Sequence, residues 1–145
     1  MPNDDPFHLQ RFLDAQSSTY SQARAELAAG EKRSHWMWFI FPQIQGLGSS
    51  SMAQRYAITD IAEAKVYLAH PVLGERLREC TALVNAVHGR SLDQIFGYPD
   101  DLKFHSSVTL FARAAEEGSD FHRALQKYFG GKEDAGTVRQ LGARR

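Results

Sequence analysis

Apolar residues recur three and four positions apart along most of this chain, which is the pattern of α-helices that bury one face. The pattern is clear from Leu9 to Leu27, from Leu73 to Val87, and again beyond Ser119. Start and stop signals for helices flank these stretches: Asp5-Pro6, Asp60 with Glu63 and Ser91 with Gln94 precede them, and Gly30, Gly89 and Gly130 follow them. The pattern therefore predicts an all-α fold of about six to eight short helices, packed like an orthogonal bundle.

The chain is expected to form one domain over residues 1–145. A chain of this length buries roughly two thirds of its unfolded surface, and no internal repeat or long linker interrupts it. Residues 17–19 (Ser-Ser-Thr) are weak helix formers, so a joint between two helices is expected there. From about residue 132 the sequence is polar, with at most a short turn near Val138 and Leu141, and we expect a frayed tail over residues 132–145.

Charge and composition argue against several classes of protein. Lys plus Arg and Asp plus Glu number 17 each, so the formal net charge is zero and nucleic acid is not an expected partner. The single cysteine, Cys80, cannot form an internal disulfide, which fits a reducing compartment. The longest apolar run, residues 36–41, is too short to cross a bilayer, and the N-terminus lacks a signal-peptide pattern. We therefore expect a cytoplasmic protein without a membrane partner. Because the histidines are scattered, no metal and no other cofactor is expected.

The stretch Lys32–Gln43, here named the aromatic segment, holds both tryptophans of the chain. Six consecutive apolar residues, four of them aromatic, lie between its basic start and its polar end. Periodicity does not separate a helix from a strand in so short a run, and the helical neighbours favour a helix. The segment is either a core helix or an aromatic wall on which a planar ring stacks. In the second case Lys32, Arg33 or His35 would meet a negative group, and Gln43 would supply hydrogen bonds.

Polar residues in apolar helical surroundings mark further positions. Gln16 lies on the apolar stripe of the first helix, where its amide serves either a structural hydrogen bond or a ligand. Lys103, Ser106 and Ser107 lie within about one turn of a later helix. The two hydroxyl groups either allow close helix packing or help to cradle a phosphate or carboxylate opposite the aromatic segment. The glycine-rich loop at residues 46–52 is either a flexible connection or a set of backbone N–H groups for an anion.

The candidate ligand-binding residues are Gln16, Lys32, His35, Trp36, Trp38, Gln43, Lys103, Ser106 and Ser107. Buried polar groups need one another or a ligand, so we expect several of these side chains around one cavity. The set expected to share it is Gln16, His35, Gln43 and Lys103, together with Trp36 or Trp38. No catalytic residue is assigned, because no Gly-x-Ser-x-Gly motif is present and the notable carboxylates lie at helix starts.

The sequence also resembles one protein family over about residues 5–131. The stretches that carry the resemblance are Asp5-Pro6-Phe7, Arg11-Phe12, Ala15-Gln16, Lys32–Gln43, Gly46-Leu47-Gly48, Met52-Ala53, Tyr56-Ala57-Ile58, His70–Leu77, Ile95-Phe96-Gly97 and Lys103–Phe111. They resemble the uncharacterised family catalogued as domain of unknown function number 1810, whose members sometimes carry the label calpastatin. The resemblance implies a mostly helical single domain and supplies no established activity, cofactor or catalytic residue. The calpastatin label fits poorly, because calpastatin repeats are disordered and rich in proline and charge. Phe104-His105 departs from the family pattern.

Three functions stay open from the sequence. The first is a domain that binds a small anionic or nucleotide-like ligand in a pocket lined by aromatic residues and lysine. The second is a protein–protein interaction or homo-oligomeric module without catalysis, which a flat apolar patch would favour. The third is a hydrolase that processes nucleotides or ADP-ribose, which needs a carboxylate or a histidine in the same pocket. Whether the protein is an enzyme is therefore undecided from its sequence.

Overall fold

The computed structural model describes residues 5–143 of the chain. Within them the backbone forms ten α-helices and no strand, with one isolated parallel bridge between Ile44 and Ile58. The helices are α1 Gln10–Gln16, α2 Tyr20–Ala28, α3 Met37–Ile40, α4 Ser51–Arg55, α5 Ile61–Ala69, α6 Leu73–Asn85, α7 Leu92–Phe96, α8 Asp100–Ala114, α9 Asp120–Phe129 and α10 Ala135–Ala143. None of them is long and apolar enough to span a membrane. The prediction of an all-α, single-domain fold is confirmed.

Local capping signals fix several helix starts. The Asp60 side chain accepts a hydrogen bond from the Glu63 N–H at the start of α5. Ser91 and Gln94 form the predicted capping box of α7, in which each side chain bonds the other residue's backbone. The expected joint at residues 17–19 separates α1 from α2. The helix count exceeds the prediction partly because α3, α4 and α7 span only four or five residues each.

Helix α8 lies at the centre of the fold and packs against α5, α7, α9 and α10. Phe104 and Phe111 on this helix are fully buried, and so is Thr109 between them. The Thr109 hydroxyl donates a hydrogen bond to the His105 carbonyl one turn earlier and accepts one from the Asp134 N–H just before α10. Small hydroxyl side chains at the middle of α8 thus allow neighbouring elements to approach closely.

The aromatic segment lies in the core, although only Met37–Ile40 of it is helical. The ring centroid of Phe41 lies 5.1 Å from that of Phe104 and 5.8 Å from that of Phe96, both in edge-to-face geometry. Such pairs contribute about 0.5–1.5 kcal/mol each beyond the area they bury. The segment therefore packs against both α7 and α8 through the ring of Phe41.

The chain after residue 132 differs from the expected polar tail, because α10 packs on α8. The Asp134 carboxylate oxygen Oδ2 accepts hydrogen bonds from the Thr137 N–H at 3.1 Å and from the Thr137 hydroxyl at 2.6 Å. The same oxygen accepts a bond from the Ser106 hydroxyl of α8 at 3.0 Å. One carboxylate thus caps α10 and ties it to the central helix, which a polar sequence does not reveal.

Candidate functional site

A cleft of about 490 Å³ opens between the start of α8, the start of α10 and the loop that precedes α4. Its lining residues are Trp38, Gln43, Leu47, Gly48, Ser49, Ser50, Ala53, Pro99, Leu102, Lys103, Ser106, Asp134 and Gly136. We name it the Trp38–Lys103 cleft. It unites the end of the aromatic segment, the glycine-rich loop and the polar positions of α8, which are distant in sequence.

Three charged side chains, those of Lys32, Asp100 and Lys103, form linked ion pairs beside this cleft. The Lys32 ammonium lies 2.8 Å from one oxygen of the Asp100 carboxylate, and the Lys103 ammonium lies 3.4 Å from the other. The Lys32 side chain is 8% exposed, whereas that of Lys103 is 28% exposed. Two ammonium groups share one carboxylate, so this trio carries a net positive charge. Lys103 is the member of the trio that lines the cleft, and the carboxylate of Asp134 lines it as well.

The Lys103 ammonium also lies over an aromatic ring. Its nitrogen is 5.2 Å from the centroid of the Trp38 ring, within the range of a cation–π contact. Trp38 is half-buried, and its indole N–H has no acceptor among residues 5–143. The cleft therefore presents an ordered cation, an aromatic surface and an N–H donor side by side.

Gln43 is half-buried at the same cleft. Its backbone carbonyl accepts a hydrogen bond from the Ile58 N–H at 2.9 Å, which fixes the backbone at that point. Its side-chain amide makes no hydrogen bond to any residue that the structure describes. An amide of this kind offers two donors and an acceptor to a bound molecule.

Asp134 completes the polar lining and was missed by sequence reasoning. Its Oδ2 atom is occupied by Ser106 and Thr137, as described above, while no residue in the described range donates a hydrogen bond to Oδ1. The backbone N–H of Asp134 donates to the Thr109 hydroxyl at 2.9 Å, so Thr109 holds this residue in addition to Ser106 and Thr137. Asp is a favoured residue at helix starts, so the sequence could have revealed the capping role of Asp134. The position of Asp134 in a cleft, however, depends on the tertiary fold.

Gln16 does not line the cleft, which corrects the expectation of a shared cavity. Its amide nitrogen donates to the Phe39 carbonyl at 2.7 Å and to the Tyr67 hydroxyl at 3.3 Å. Its amide oxygen accepts a bond from the Arg76 guanidinium at 3.2 Å. The residue is buried and its hydrogen bonds go to the protein, so it joins α1, α3, α5 and α6 as a structural element.

Trp36 is likewise a core residue and lies outside the cleft. Its ring is fully buried and its indole N–H donates to the Glu26 carboxylate at 2.9 Å. Burial by itself would raise the pKa of Glu26, but hydrogen bonds from Ser34, the Arg33 backbone, Gln22 and Trp36 lower it to about 2. Glu26 thus carries a negative charge inside the fold, held by dipoles rather than by a cation.

The remaining candidates also lie apart from the cleft lining. His35 is exposed, and Lys32 reaches the cleft only through Asp100. Ser107 is buried, and its hydroxyl has no partner among the described residues. Because Ser106 and Ser107 are neighbours on one helix, they point about 100° apart, and only Ser106 faces the cleft.

Two other clefts of similar size are lined by different groups. One of about 440 Å³ includes Lys65 and Arg78 but no aromatic residue. Another of about 480 Å³ contains Arg11, whose guanidinium is occupied by backbone carbonyls and Glu63, and Arg55, whose guanidinium lies 5.5 Å from the Tyr56 ring centroid. Neither volume nor a cation–π pair therefore distinguishes the Trp38–Lys103 cleft, which differs from the other two in adding the amide of Gln43 and the apolar side chains of Leu47 and Leu102. Residues 5–143 contain no cluster of His, Cys, Asp and Glu that would suit a metal ion.

Comparison with known proteins adds a family and a close structural relative. A family model described as "Protein of unknown function (DUF1810)" matches residues 6–141. A crystal structure of the conserved hypothetical protein Rv1873 from Mycobacterium tuberculosis is 57% identical in sequence, with a TM-score of 0.93. The match covers 95% of this chain and 99% of that one. No curated protein matches the chain.

Proposed function

This chain belongs to the DUF1810 family of proteins of unknown function, and from the residues of its cleft we propose that it binds a small anionic, nucleotide-like ligand between Trp38 and Lys103. The observation that carries the proposal is the Lys103 ammonium, held 5.2 Å from the Trp38 ring centroid beside the unpaired amide of Gln43. The Gln43 amide is half-buried at the cleft, so a bound molecule can replace water as its hydrogen-bond partner.

The size and lining of the Trp38–Lys103 cleft fit a ligand of this class. Its volume of about 490 Å³ lies within the roughly 300–1,000 Å³ of small-molecule sites. Leu47, Ala53 and Leu102 supply apolar surface for a ring, while Lys103 supplies the positive charge for a phosphate or carboxylate. A cation in a partly desolvated cleft attracts an anion more strongly than it would in bulk water.

A second candidate function is hydrolysis of the bound nucleotide or ADP-ribose. The observation that favours it is Asp134, because a carboxylate that faces the same cleft can orient or deprotonate a water molecule. Incubating the protein with ADP-ribose and separating the products by chromatography distinguishes the two candidates. A binding protein returns the compound intact, and a hydrolase returns products whose formation stops in Asp134→Asn.

An interaction module has less support. The exposed large apolar residues in the described part of the chain are Val66, Val72, Tyr98 and Leu102. Tyr98 is 76% exposed and Leu102, which lines the Trp38–Lys103 cleft, is 52% exposed. Apolar side chains exposed singly or in pairs are usual on monomeric proteins.

The binding proposal is tested by thermal denaturation and calorimetry with adenosine monophosphate. A ligand at a hundredfold its dissociation constant should stabilise the wild-type protein by about 2.7 kcal/mol. Lys103→Ala should weaken binding by about tenfold or more, because a hydrogen bond to a charged group contributes about 1.5–3 kcal/mol. Its own melting temperature should change little, since its ion pair with Asp100 is partly exposed.

Lys65→Ala is the matched control, because Lys65 is an exposed lysine of a different cleft. It should bind adenosine monophosphate as the wild-type protein does. Equal affinity of the Lys103→Ala and wild-type proteins, or a loss confined to Lys65→Ala, would exclude the Trp38–Lys103 cleft as the site.

A further inference from the structure

Building on the proposed function, we infer that Asp134 selects the ligand by accepting hydrogen bonds from sugar hydroxyls, so that the ligand class is a nucleoside phosphate rather than a simple anion. This inference goes beyond the Lys103 site, because a lysine alone does not distinguish one phosphate from another.

Asp134 is held in a fixed orientation before any ligand arrives. Its Oδ2 atom accepts hydrogen bonds from the Ser106 hydroxyl and from two donors of Thr137. Its backbone N–H is bonded to Thr109 of α8. The carboxylate therefore does not rotate freely, and its Oδ1 atom stays available to an incoming donor. Such preorganisation lowers the entropy that binding would otherwise cost.

The Trp38–Lys103 cleft contains a group suited to each of the three parts of a nucleotide. The Lys103 ammonium is 5.2 Å from the Trp38 ring centroid, and Ser106 follows Lys103 by one helical turn. The Ser106 hydroxyl is 3.0 Å from Asp134. Residues three apart on a helix lie about 5–6 Å from each other at their Cβ atoms. An aromatic surface for a base, a cation for a phosphate and a carboxylate for sugar hydroxyls thus line one cleft.

The charges at the cleft oppose a bare anion. Lys32 and Lys103 are balanced by Asp100 and Asp134, so the local formal charge is zero. A free phosphate would gain the attraction of Lys103 but meet the repulsion of Asp134. In a nucleotide the ribose hydroxyls donate hydrogen bonds to the carboxylate, and these bonds offset the repulsion. Asp134 therefore favours binding of a hydroxylated anion over binding of a simple anion.

Adenosine monophosphate and dideoxyadenosine monophosphate, which lacks both ribose hydroxyls, test this inference by calorimetry. The wild-type protein should prefer the hydroxylated probe by about tenfold or more, the usual effect of a hydrogen bond to a charged group. In Asp134→Asn this preference should fall to near unity, and the dideoxy probe should bind at least as tightly as it binds the wild type. Asn still caps a helix, so α10 should stay in place.

Thr137→Val is the matched control, since it removes a hydroxyl bonded to Asp134 but leaves both the carboxylate and the shape of the side chain. It should lower the melting temperature and keep the tenfold preference. Equal binding of the two probes by the wild type, with Lys103→Ala still weakening both, would overturn the role of Asp134 and leave the proposed function standing. A preference that persists in Asp134→Asn would also overturn it. Failure of the wild type to bind either probe would overturn the proposed function and this inference together.

Discussion

Glu26 is the residue that attaches the aromatic segment to α2. Its carboxylate accepts hydrogen bonds from the Arg33 N–H at 2.7 Å, from the Ser34 N–H and hydroxyl at 3.1 and 2.6 Å, and from the Trp36 indole at 2.9 Å. These donors lie within the four residues 33–36, which belong to no helix or strand. The charge of one side chain therefore determines where Trp36 enters the core.

Replacing this carboxylate should lower stability in a pH-dependent way. The pKa of Glu26 is about 2 in the folded protein and 4.5 in an unperturbed glutamate. Because the folded value is the lower one, the stabilisation is complete above about pH 4.5 and is lost as the pH falls towards 2. Glu26→Gln should cost about 1–3 kcal/mol near neutral pH. Urea denaturation near pH 7 and near pH 3 should show a gap to the wild type that narrows on acidification.

Glu31→Gln serves as the control for this measurement. The Glu31 side chain is 49% exposed and pairs only with the exposed Arg33, so its replacement should change stability little at either pH. A Glu26→Gln protein as stable as the wild type near neutral pH would contradict the account of the carboxylate. So would a gap that stayed constant on acidification.

Gln16 and Gln43 show how far residue-level prediction reaches. Both are glutamines in apolar surroundings, and both were predicted as ligand contacts on that ground. Phe39, Tyr67 and Arg76 use the amide of Gln16, whereas the described residues leave the amide of Gln43 unused. The sequence identifies a polar group that needs partners, but only the tertiary structure shows whether the protein supplies them.

At the scale of elements, the aromatic segment presents two tryptophans with different roles. Trp36 is fully buried and precedes α3, whereas Trp38 lies within α3 and is half-buried at the cleft. The sequence predicts the segment as a structural centre and as a pocket wall, and these interpretations are not exclusive. Trp36 just before α3 and Trp38 within it are two positions apart, so one ring points into the core and the other towards the cleft.

The two tryptophans should therefore differ in what their removal costs. Trp36→Ala should destabilise the protein by about 3–5 kcal/mol, because it leaves a cavity in the core and a charged Glu26 without one donor. Trp38→Ala should cost clearly less, and it should weaken binding of the nucleotide probe instead. Guanidinium denaturation of both variants checks the first statement, and calorimetry checks the second. If the two variants lost equal stability, the assignment of Trp36 to the core and Trp38 to the cleft would be wrong.

Helix starts were predictable where the signal is local. The caps at Asp60, Ser91 and Ser119 lie where the sequence predicts them, since a capping side chain bonds the backbone three residues on. The sequence does not predict α10, because Asp134 stabilises this helix partly through a hydrogen bond from Ser106 on α8. A nine-residue helix without such support would be marginal.

At the scale of the whole molecule, the sequence was sufficient for the fold class and for part of the cleft. Periodicity and caps determine an all-α domain because both depend on near neighbours in the chain. The meeting of Trp38, Gln43 and Lys103 joins residues up to 65 positions apart, and it depends on how α3, α8 and α10 pack. The sequence predicts Trp38 as part of an aromatic wall and Gln43 and Lys103 as polar groups in apolar surroundings. It does not indicate Asp134, because residues 132–145 have the composition of a frayed tail.

The central claim is that the Trp38–Lys103 cleft binds a nucleotide-like anion. The most direct test is an NMR titration with adenosine monophosphate that follows the two indole N–H resonances. Trp38 lines the cleft, whereas the Trp36 N–H is buried on Glu26, so each tryptophan serves as the control for the other. We expect the Trp38 resonance to shift and saturate, the Trp36 resonance to stay in place, and the shift to disappear in Lys103→Ala. A Trp38 resonance that stayed unmoved through millimolar ligand, or that moved equally in the Lys103→Ala protein, would contradict the claim.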